Sequence, residues 1–352
     1  NQEAFQMTKM LSEIKEQPEV LGKLEEINHN TLRALTDELK AKNIKRVLFA
    51  ARGTSYHACI YGQYLLAIRQ GIAAAQAMPS CITLYGSSLL TECDLVIGVS
   101  QSGKAADVLA VLEDAQKHGA VTAAITNDPE SPMAKFARYH LYCGAGEEFS
   151  VAATKTFTAQ MGLLLLLCAY WNGDEPLLRD FAALPRAASE TLAACASGID
   201  GLTLRYRYME QGFVISRGLT YPIALEAALK TQETCYVKMK GYSAADFYHG
   251  PLAQVDSEMP VIVFAPRGNA QKDNLELAGR IREIGAQPLV VTDDKTLAEK
   301  DPLTFLLPDT GSQFTSPFVF ALFAQCFAQS LCTRKGLDPD RPRNLKKVTI
   351  TK

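Results

Sequence analysis

The sequence predicts an α/β fold made of two similar copies, each an open parallel sheet flanked by helices. Short apolar runs typical of buried parallel strands alternate with longer segments of helical character. Turn sequences of the first half also return in the second half at a nearly constant spacing, which indicates two copies of one supersecondary unit. At 352 residues, the chain is long enough for two domains with separate cores.

The first copy is predicted from three apolar runs, each of which ends in a polar or glycine-containing turn. The predicted strands are residues 46–50, 95–99 and 121–125, and the predicted helices between them are residues 56–70 and 105–118. Residues 1–44 precede them as a helical segment. We expect that segment to break at Gln17-Pro18, because proline disrupts the interior of a helix.

The second copy is predicted from turns that match those of the first. Its strands include residues 213–215 and 261–265. Pro266-Arg267-Gly268 replaces the serines that follow a strand in the first copy, so we expect the first copy to bind an anion and the second to supply acid and base groups. The matched turn glycines are Gly53 with Gly218, Gly103 with Gly268 and Gly119 with Gly285, which stand 165, 165 and 166 residues apart.

These patterns predict five segments along the chain. The linker between the two copies contains an alanine-rich predicted helix at residues 186–197. The apolar run at residues 161–171 is too short to cross a bilayer and is predicted to be a buried helix. The segments are an N-terminal helical segment (1–44), a phosphate-binding domain (45–172), a linker (173–202), a domain with the acid and base residues (203–335) and a C-terminal tail (336–352).

The composition favours a small-molecule partner over nucleic acid or a membrane. The net charge of -2 lacks the basic excess of a nucleic-acid binder. The nine cysteines are odd in number and include no Cys-x-x-Cys pair, which supports neither a metal site nor a disulfide framework. Dinucleotide and P-loop patterns are absent, so no cofactor is predicted. With no signal peptide evident, we expect a cytoplasmic protein.

Two predicted strand-to-helix turns carry groups suited to binding an anion. Hydroxyls, an amide and backbone N–H groups at a helix N-terminus form such a site without a lysine. Ligands of open α/β sheets collect beyond the carboxyl ends of the strands, so both turns can face one ligand. Alternatively, the hydroxyls only cap helices, or Ser100 or Ser102 is a hydrolase nucleophile, although the Gly-x-Ser-x-Gly pattern is missing. The predicted phosphate-binding residues are Gly53, Thr54, Ser55, Ser100, Gln101 and Ser102.

A stretch of the second copy carries the candidate acid and base groups. Lys230 and Glu233 stand three residues apart, on one face of a helix that we expect to end near Gly241. His249 follows in a loop that ends at Gly250-Pro251. A carboxylate and an imidazole in one pocket can move protons on a sugar, one near the carbons and the other near the ring oxygen. The alternative is a surface helix followed by a solvated histidine.

Together these motifs resemble the isomerase half of glucosamine-6-phosphate synthase, which is a tandem of sugar isomerase (SIS) domains. The resemblance covers essentially the whole chain. It implies two tandem SIS domains, each a three-layer αβα sandwich with an open parallel sheet, and no cofactor. The motifs that carry it are Gly53-Thr54-Ser55, Ser100-Gln101-Ser102-Gly103, the stretch from Glu233 to His249, Val151-Ala152-Ala153-Thr154-Lys155 and Pro342-Arg343-Asn344-Leu345-Lys346-Lys347.

The resemblance also implies a role for each candidate residue. The two serine-containing turns hold the sugar phosphate, and the backbone at Val151 is a further contact. Lys347 is expected to form a Schiff base with the open-chain ketose, and Glu233 to shuttle a proton between C1 and C2. His249 is expected to help open the ring from across the interface of a homodimer, with Lys230 assisting nearby.

The C-terminal tail must be docked for Lys347 to play this role. Lys346 beside it could lower the pKa of the nucleophilic amine. The β-prone Val348-Thr349-Ile350 favours docking, whereas two lysines near a terminus are more often part of a disordered end.

The sequence departs from the family pattern at three points. Lys104-Ala105 stands where the family has Glu-Thr, which removes a hydroxyl that helps to hold phosphate. Gln232 stands where the synthase has a basic residue. We expect no glutaminase domain beside the two repeats, which favours the deaminating direction.

The leading expectation is an isomerase coupled to amination or deamination, similar to glucosamine-6-phosphate deaminase and acting on an amino sugar 6-phosphate or fructose 6-phosphate. One alternative is a deglycase that cleaves a fructosamine 6-phosphate, which needs no Schiff-base lysine. The other is a phosphosugar-sensing regulator, a class that generally lacks the acid-base pair.

Overall fold

The computed structural model describes residues 7–301 and 303–347 and confirms the predicted α/β fold. These residues divide into two compact units, each with one parallel sheet. The first-sheet unit comprises Glu19–Glu148 and Lys155–Ala182. The second-sheet unit comprises Phe149–Thr154, Ala183–Lys347 and the described residues up to Pro18.

The first sheet contains five parallel strands, as expected for apolar runs joined by helical connections. They are β1 (Arg46–Ala51), β2 (Ala73–Gln76), β3 (Asp94–Val99), β4 (Val121–Thr126) and β5 (Tyr139–Tyr142). Their order is β2-β1-β3-β4-β5, which reverses direction between β1 and β3. β3 and β4 are buried along their whole length. A reversal of strand order of this kind opens a crevice where open α/β sheets bind ligands.

The first seven helices include one long N-terminal helix and six that accompany the first sheet. They are α1 (Lys9–Ala41), α2 (Gly53–Leu65), α3 (Pro79–Thr83), α4 (Ala106–Lys117), α5 (Pro132–Phe136), α6 (Lys155–Asn172) and α7 (Glu175–Ala182). A π-helical turn at Leu66–Gln70 extends α2. The apolar run at residues 161–171 lies in α6 and is almost entirely buried, as predicted.

The second sheet has the same topology as the first. Its strands are β6 (Gln211–Ser216), β7 (Lys238–Ser243), β8 (Val261–Phe264), β9 (Leu289–Thr292) and β10 (Thr304–Leu306). All pair in parallel in the order β10-β9-β8-β6-β7. Written from the other edge, this order is β7-β6-β8-β9-β10, which matches β2-β1-β3-β4-β5 of the first sheet strand for strand. The match confirms the duplication inferred from the turns.

The helices of the second-sheet unit are α8 (Leu184–Leu204), α9 (Tyr221–Cys235), α10 (Ala244–Phe247), α11 (Gln271–Glu283), α12 (Lys295–Lys300) and α13 (Ser316–Arg334). Short 3-10 turns lie at Gly218–Thr220 and Pro251–Gln254. Among the described residues, α13 is the one helix long and apolar enough to span a membrane, but almost all of it is buried inside the fold. Such burial is typical of a core helix.

The predicted break at Gln17-Pro18 is wrong, because α1 continues through Pro18. A proline at this position removes the N–H group that would bond to the carbonyl oxygen of Ile14. The side-chain amide of Gln17 takes its place and donates to that oxygen at 3.0 Å. The same Nε2 lies 2.7 Å from Oε1 of Gln325 on α13. The helix therefore keeps its course without leaving a buried carbonyl unsatisfied.

Candidate active site

The two predicted phosphate-binding turns follow neighbouring strands where the strand order of the first sheet reverses. Ala51 and Val99, the last residues of β1 and β3, are register partners. Residues 53–55 and 100–102 therefore leave the sheet side by side at its carboxyl edge. This is the arrangement predicted from the parallel topology.

The hydroxyls in these turns are not helix caps, which makes that alternative wrong. The N-cap residues of α2 and α4 are Arg52 and Ala105, and neither provides a side-chain cap. Thr54 and Ser55 lie inside the first turn of α2, which starts three residues earlier than predicted. The N–H groups of two helix N-termini thus face the same edge of the sheet without a side-chain cap, and such groups favour an anion.

The serine-containing turn after β3 is held in shape by its own hydroxyls. Oγ of Ser100 accepts from the N–H of Gly103 at 3.2 Å, and Oγ of Ser102 accepts from the N–H of Lys104 at 3.4 Å. The carbonyl oxygen of Gln101 accepts from the N–H of Asn127 at 2.9 Å. Gly103 has a φ of +62°, and a Cβ there would collide with Oγ of Ser131. The turn therefore requires glycine at this position.

In the second-sheet unit, α9 brings Lys230 between two carboxylates. Nζ of Lys230 lies 2.5 Å from Oε2 of Glu233 and 3.4 Å from Oε1 of Glu226. The Lys230 and Glu226 side chains are each 1% exposed, while that of Glu233 is 22% exposed. The predicted shared helix face of Lys230 and Glu233 is confirmed. Glu226 was missed, although its position four residues before Lys230 could have indicated the contact.

The two carboxylates keep Lys230 charged. Burial alone lowers the pKa of a lysine, but Glu233 and Glu226 together outweigh this effect and raise the pKa of Lys230 above its ordinary value. Lys230 is therefore an ammonium that donates hydrogen bonds and orients Glu233. It is not available as a nucleophile or a base.

The helix that carries these residues ends earlier than predicted. α9 stops at Cys235, and Tyr236 adopts a left-handed conformation with a φ of 58°. Gly241, the expected helix end, lies instead in β7, where a Cβ would come within 2.7 Å of the carbonyl oxygen of Ala224. Glycine there allows β7 to pass close to α9. A left-handed tyrosine is uncommon, so no local pattern predicted that the helix ends before residue 236.

His249 lies on the surface of the second-sheet unit. It follows α10, its backbone N–H donates to the carbonyl oxygen of Asp246 at 3.0 Å, and its side chain is exposed. Gly250 after it has a φ of +129°, which requires glycine. Among the described residues, the imidazole forms no hydrogen bond with Glu233, Lys230 or Lys347.

The C-terminal tail is docked as far as Lys347. Its Nζ donates to the carbonyl oxygen of Ser150 at 2.7 Å, next to the half-buried Val151. The carboxylate of Glu13 accepts hydrogen bonds from the N–H groups of Phe149 and Ser150, so this segment is fixed from the opposite side. Sequence reasoning missed this role of Glu13. The expectation that the β-prone residues Val348-Thr349-Ile350 help to dock the tail lies outside the described residues.

A second contact holds the tail near the end of α9. The guanidinium of Arg343 lies 4.1 Å from the ring centroid of Tyr236, and the Arg343 N–H donates to the hydroxyl of Tyr236 at 2.9 Å. Tyr236 stands three residues after Glu233. Residues 343–347 thus connect α9 with the segment Phe149–Thr154, here called the Ser150 segment, and all of these residues lie within the second-sheet unit.

Within residues 7–301 and 303–347, no group of three or more His, Cys, Asp or Glu side chains is arranged to hold a metal ion.

The repeated parallel sheet, with polar turns where its strand order reverses, defines an α/β protein built from two copies of one ligand-binding domain. The family model of the SIS domain matches residues 40–170 and 209–332, and the chain belongs to this family.

Three similar proteins illustrate the relationship. Glutamine–fructose-6-phosphate aminotransferase (isomerizing) of Aquifex aeolicus (strain VF5) is 34% identical over 350 residues, which cover 97% of this chain and 57% of that protein. The chain thus spans a little more than half of this relative. A Silicibacter pomeroyi DSS-3 protein provisionally assigned as a phosphosugar isomerase is 30% identical with a TM-score of 0.86, over 95% of this chain and 100% of that one. The C-terminal domain of glucosamine-fructose-6-phosphate aminotransferase from Francisella tularensis is 27% identical with a TM-score of 0.83, over 97% of this chain and 100% of that one.

Proposed function

We propose that the chain is an enzyme that isomerises a phosphosugar between aldose and ketose and couples this step to gain or loss of ammonia. Its substrate would be an amino sugar 6-phosphate or fructose 6-phosphate, as for a glucosamine-6-phosphate deaminase. The observation that carries the proposal is the docking of Lys347 at Ser150, in the same unit as Glu233. An amine can form an iminium with a ketose, and a carboxylate can move the proton. The similarity to aminotransferases that act on fructose 6-phosphate supports the same substrate class.

In the deaminating direction, Glu233 removes the proton from C2 of the open-chain amino aldose and returns it to C1. A second proton passes from the nitrogen to O1, which yields a ketimine. Lys347 adds to C2 and displaces ammonia, so that the sugar is held as a Schiff base. Water then hydrolyses this bond and releases the ketose phosphate. Lys230 stays an ammonium throughout and keeps the Glu233 carboxylate oriented.

The phosphate of the sugar is assigned to the two turns of the first sheet. Their uncapped helix N-termini and the hydroxyls of Thr54, Ser55, Ser100 and Ser102 offer donors, and the carboxylate in the first turn of α4, Asp107, is paired with Arg52. Gly53, the Gln101 amide and the Val151 backbone complete the proposed set of substrate contacts.

We assign ring opening to His249, acting across a homodimer. In its own chain the imidazole is exposed and has no hydrogen bond with Glu233. An exposed imidazole on a loop is free to serve the active site of a second copy. A two-fold symmetric dimer, in which each contact across the interface occurs twice, would then contain two complete sites.

A fructosamine 6-phosphate deglycase is the second candidate, because two changes alter the groups available around the substrate. Nε2 of Gln232 donates to the carbonyl oxygen of Met239 at 2.5 Å, so this side chain supports β7 where the synthase has a cation. Ala105 lacks the hydroxyl of its family counterpart. A deglycase would use Glu233 and His249 without a Schiff base at Lys347.

The test is a substrate panel combined with chemical trapping. The purified chain is incubated with glucosamine 6-phosphate, with fructose 6-phosphate plus ammonium, and with fructosamine 6-phosphates of several amino acids. Release of ammonia and trapping of a borohydride-reduced adduct at Lys347, found by peptide mass spectrometry, are expected. Amine release without an adduct would favour the deglycase. Phosphosugar binding without turnover on the whole panel would contradict both enzyme assignments and favour a regulator.

A further inference from the structure

An ion pair joins the two phosphate-binding turns of the first sheet. Nε and Nη2 of Arg52 lie 2.8 Å and 2.7 Å from Oδ2 of Asp107. The Asp107 side chain is 6% exposed, whereas that of Arg52 is 55% exposed. The carboxylate is therefore a buried anchor, and the guanidinium that it holds is open to a ligand.

The two partners come from the two turns themselves. Arg52 is the N-cap residue of α2 and directly precedes Gly53. Asp107 lies in the first turn of α4, just after the turn that contains Ser100 and Ser102. The guanidinium thus reaches from one phosphate-binding turn to the helix that follows the other, across the point where the strand order reverses.

We infer that Arg52 is a phosphate-binding residue, and that Asp107 positions its guanidinium. The inference deepens the proposed function, since it rests on the assignment of these turns to the sugar phosphate. Asp107 engages the edge of the guanidinium formed by Nε and Nη2, and the planar group has further donors at Nη1. Guanidinium groups bind phosphate oxygens through strong charge-assisted hydrogen bonds.

The proposed contact also explains a departure of the sequence from its family. Ala105 cannot provide the hydroxyl that helps other members to hold phosphate. A guanidinium at the neighbouring turn, with its charge balanced by Asp107, adds charge-assisted N–H donors to a site otherwise made of dipoles. Such a site favours the dianion of a phosphate monoester over a sugar without phosphate.

The second-sheet unit contains the same ion pair without the serine-containing turn. Nη1 of Arg217 lies 2.5 Å from Oδ2 of Asp273, which is in the first turn of α11. Arg217 stands 165 residues after Arg52 and directly precedes Gly218. The turn after β8 there is Pro266-Arg267-Gly268. This second pair is a control within the same molecule, because it stands at the equivalent position, pairs through Nη1 with a carboxylate that is 39% exposed, and lacks the hydroxyls.

The experiment measures binding of fructose 6-phosphate and of inorganic phosphate by calorimetry in the full chain. Arg52→Ala is expected to weaken both by about 10-fold or more, the scale of hydrogen bonds to a charged group. Arg217→Ala should change neither affinity by more than about 2-fold, because this substitution removes only a surface ion pair. Equal effects of the two substitutions would overturn the inference, because the pair would then belong to the fold rather than to the ligand.

Two further variants separate contact from positioning. Asp107→Asn leaves Arg52 in place, so it should weaken binding less than Arg52→Ala does, and Arg52→Lys should recover part of the loss. If Asp107→Asn and Arg52→Ala lose equal affinity, and both lower the melting temperature equally, Arg52 is only a structural clamp. Melting temperatures of all variants identify any that fail to fold.

Ser102→Ala tells this inference apart from the assignment of the site. A loss of phosphosugar binding in Ser102→Ala together with unchanged binding in Arg52→Ala would overturn the role of Arg52 and leave the site assignment standing. Unchanged binding in both variants would overturn both. Turnover on the substrate panel is measured separately and tests the reaction rather than the phosphate contact.

Discussion

Lys347 donates a hydrogen bond from Nζ to the carbonyl oxygen of Ser150 at 2.7 Å. That carbonyl belongs to a segment whose N–H groups are held by the buried carboxylate of Glu13. The amine near the end of the tail is therefore directed by a fixed backbone group and is not a solvated end. A nucleophile held at a defined position needs less ordering before it reacts.

Replacing Lys347 by Arg should abolish covalent trapping by borohydride, because a guanidinium forms no Schiff base with the sugar. We expect the turnover number to fall by about 10³-fold or more, as when other enzymes lose a nucleophile. Lys346→Arg is the matched control, since Lys346 is adjacent and exposed. It should keep both the adduct and the activity. Peptide mass spectrometry after borohydride reduction gives the answer, and an adduct that persists in Lys347→Arg would contradict the assignment.

Replacing Glu233 by Gln should stop proton transfer and leave phosphosugar binding nearly unchanged. The amide keeps the size of the side chain and still accepts a hydrogen bond from Lys230, but it cannot remove a proton from carbon. The turnover number should fall by about 10² to 10⁴-fold. Calorimetry with fructose 6-phosphate should give an affinity close to that of the wild type. Wild-type activity in this variant would contradict the role of Glu233.

Replacing Lys230 by Met should destabilise the fold, because it removes the buried ammonium that pairs with the carboxylates of Glu226 and Glu233. The expected loss is about 3 to 5 kcal/mol in the free energy of unfolding, measured in urea. Lys272→Met is the control. Lys272 pairs with Glu276 at the surface, and its side chain is 84% exposed. That variant should lose no more than about 0.5 kcal/mol. Adding Glu226→Gln to Lys230→Met should recover part of the loss.

The contribution of Lys230 to stability should not vary near neutral pH. Its pKa in the fold is raised above the ordinary value of 10.5, so the stabilisation is fully present below that value. It is lost only as the pH rises through the raised pKa. The difference in unfolding free energy between the wild type and the double variant Lys230→Met/Glu226→Gln, which has no carboxylate at residue 226, should therefore stay constant from about pH 6 to pH 9. A step within this range would show that another group controls the difference.

The features that the sequence predicted correctly are those that depend on local patterns and parallel topology. Apolar runs located the strands in both copies, and turn glycines established the repeat. The position of the two serine-containing turns after neighbouring strand ends followed from a general rule, because the carboxyl ends of neighbouring parallel strands share one edge. Spacing along one helix was enough to pair Lys230 with Glu233.

Features that the sequence did not predict depend on residues far apart in the chain or on an unusual backbone. Pro18 is tolerated because the Gln17 amide replaces its missing N–H and is held by Gln325, which is 308 residues away. The end of α9 depends on a left-handed tyrosine at residue 236, which has no clear local signal. The contacts of Glu13 with the Ser150 segment appear only once the chain is folded.

Replacing Gly103 by Ala should disrupt the serine-containing turn. The residue has a φ of +62°, and its Cβ would collide with Ser131, so both backbone strain and a steric clash result. Gly86→Ala is the control, because Gly86 has a similar φ of +61° and open space around the position of a Cβ. The control should lose about 1 kcal/mol from strain alone. Gly103→Ala should lose more, and its binding of fructose 6-phosphate should weaken while that of the control stays unchanged.

A shared active site can be tested by mixing two inactive variants. If His249 serves a second subunit, Glu233→Gln and His249→Asn each inactivate the site to which that residue belongs. A mixed dimer then contains one site with both substitutions and one site with neither. Random mixing of equal amounts should restore about one quarter of the wild-type activity, since half of the dimers are mixed and each has one intact site.

The same mixture gives no activity if each chain contains a complete site of its own, because every site then carries one substitution. Mixing Glu233→Gln with Lys347→Arg is the control. Both residues lie in the second-sheet unit of one chain, where residues 343–347 connect α9 with the Ser150 segment. That mixture should stay inactive even though mixed dimers form. Restored activity in the control would show that one site takes Glu233 from one chain and Lys347 from the other. That result would contradict the docking of the tail in its own chain as the basis of the mechanism.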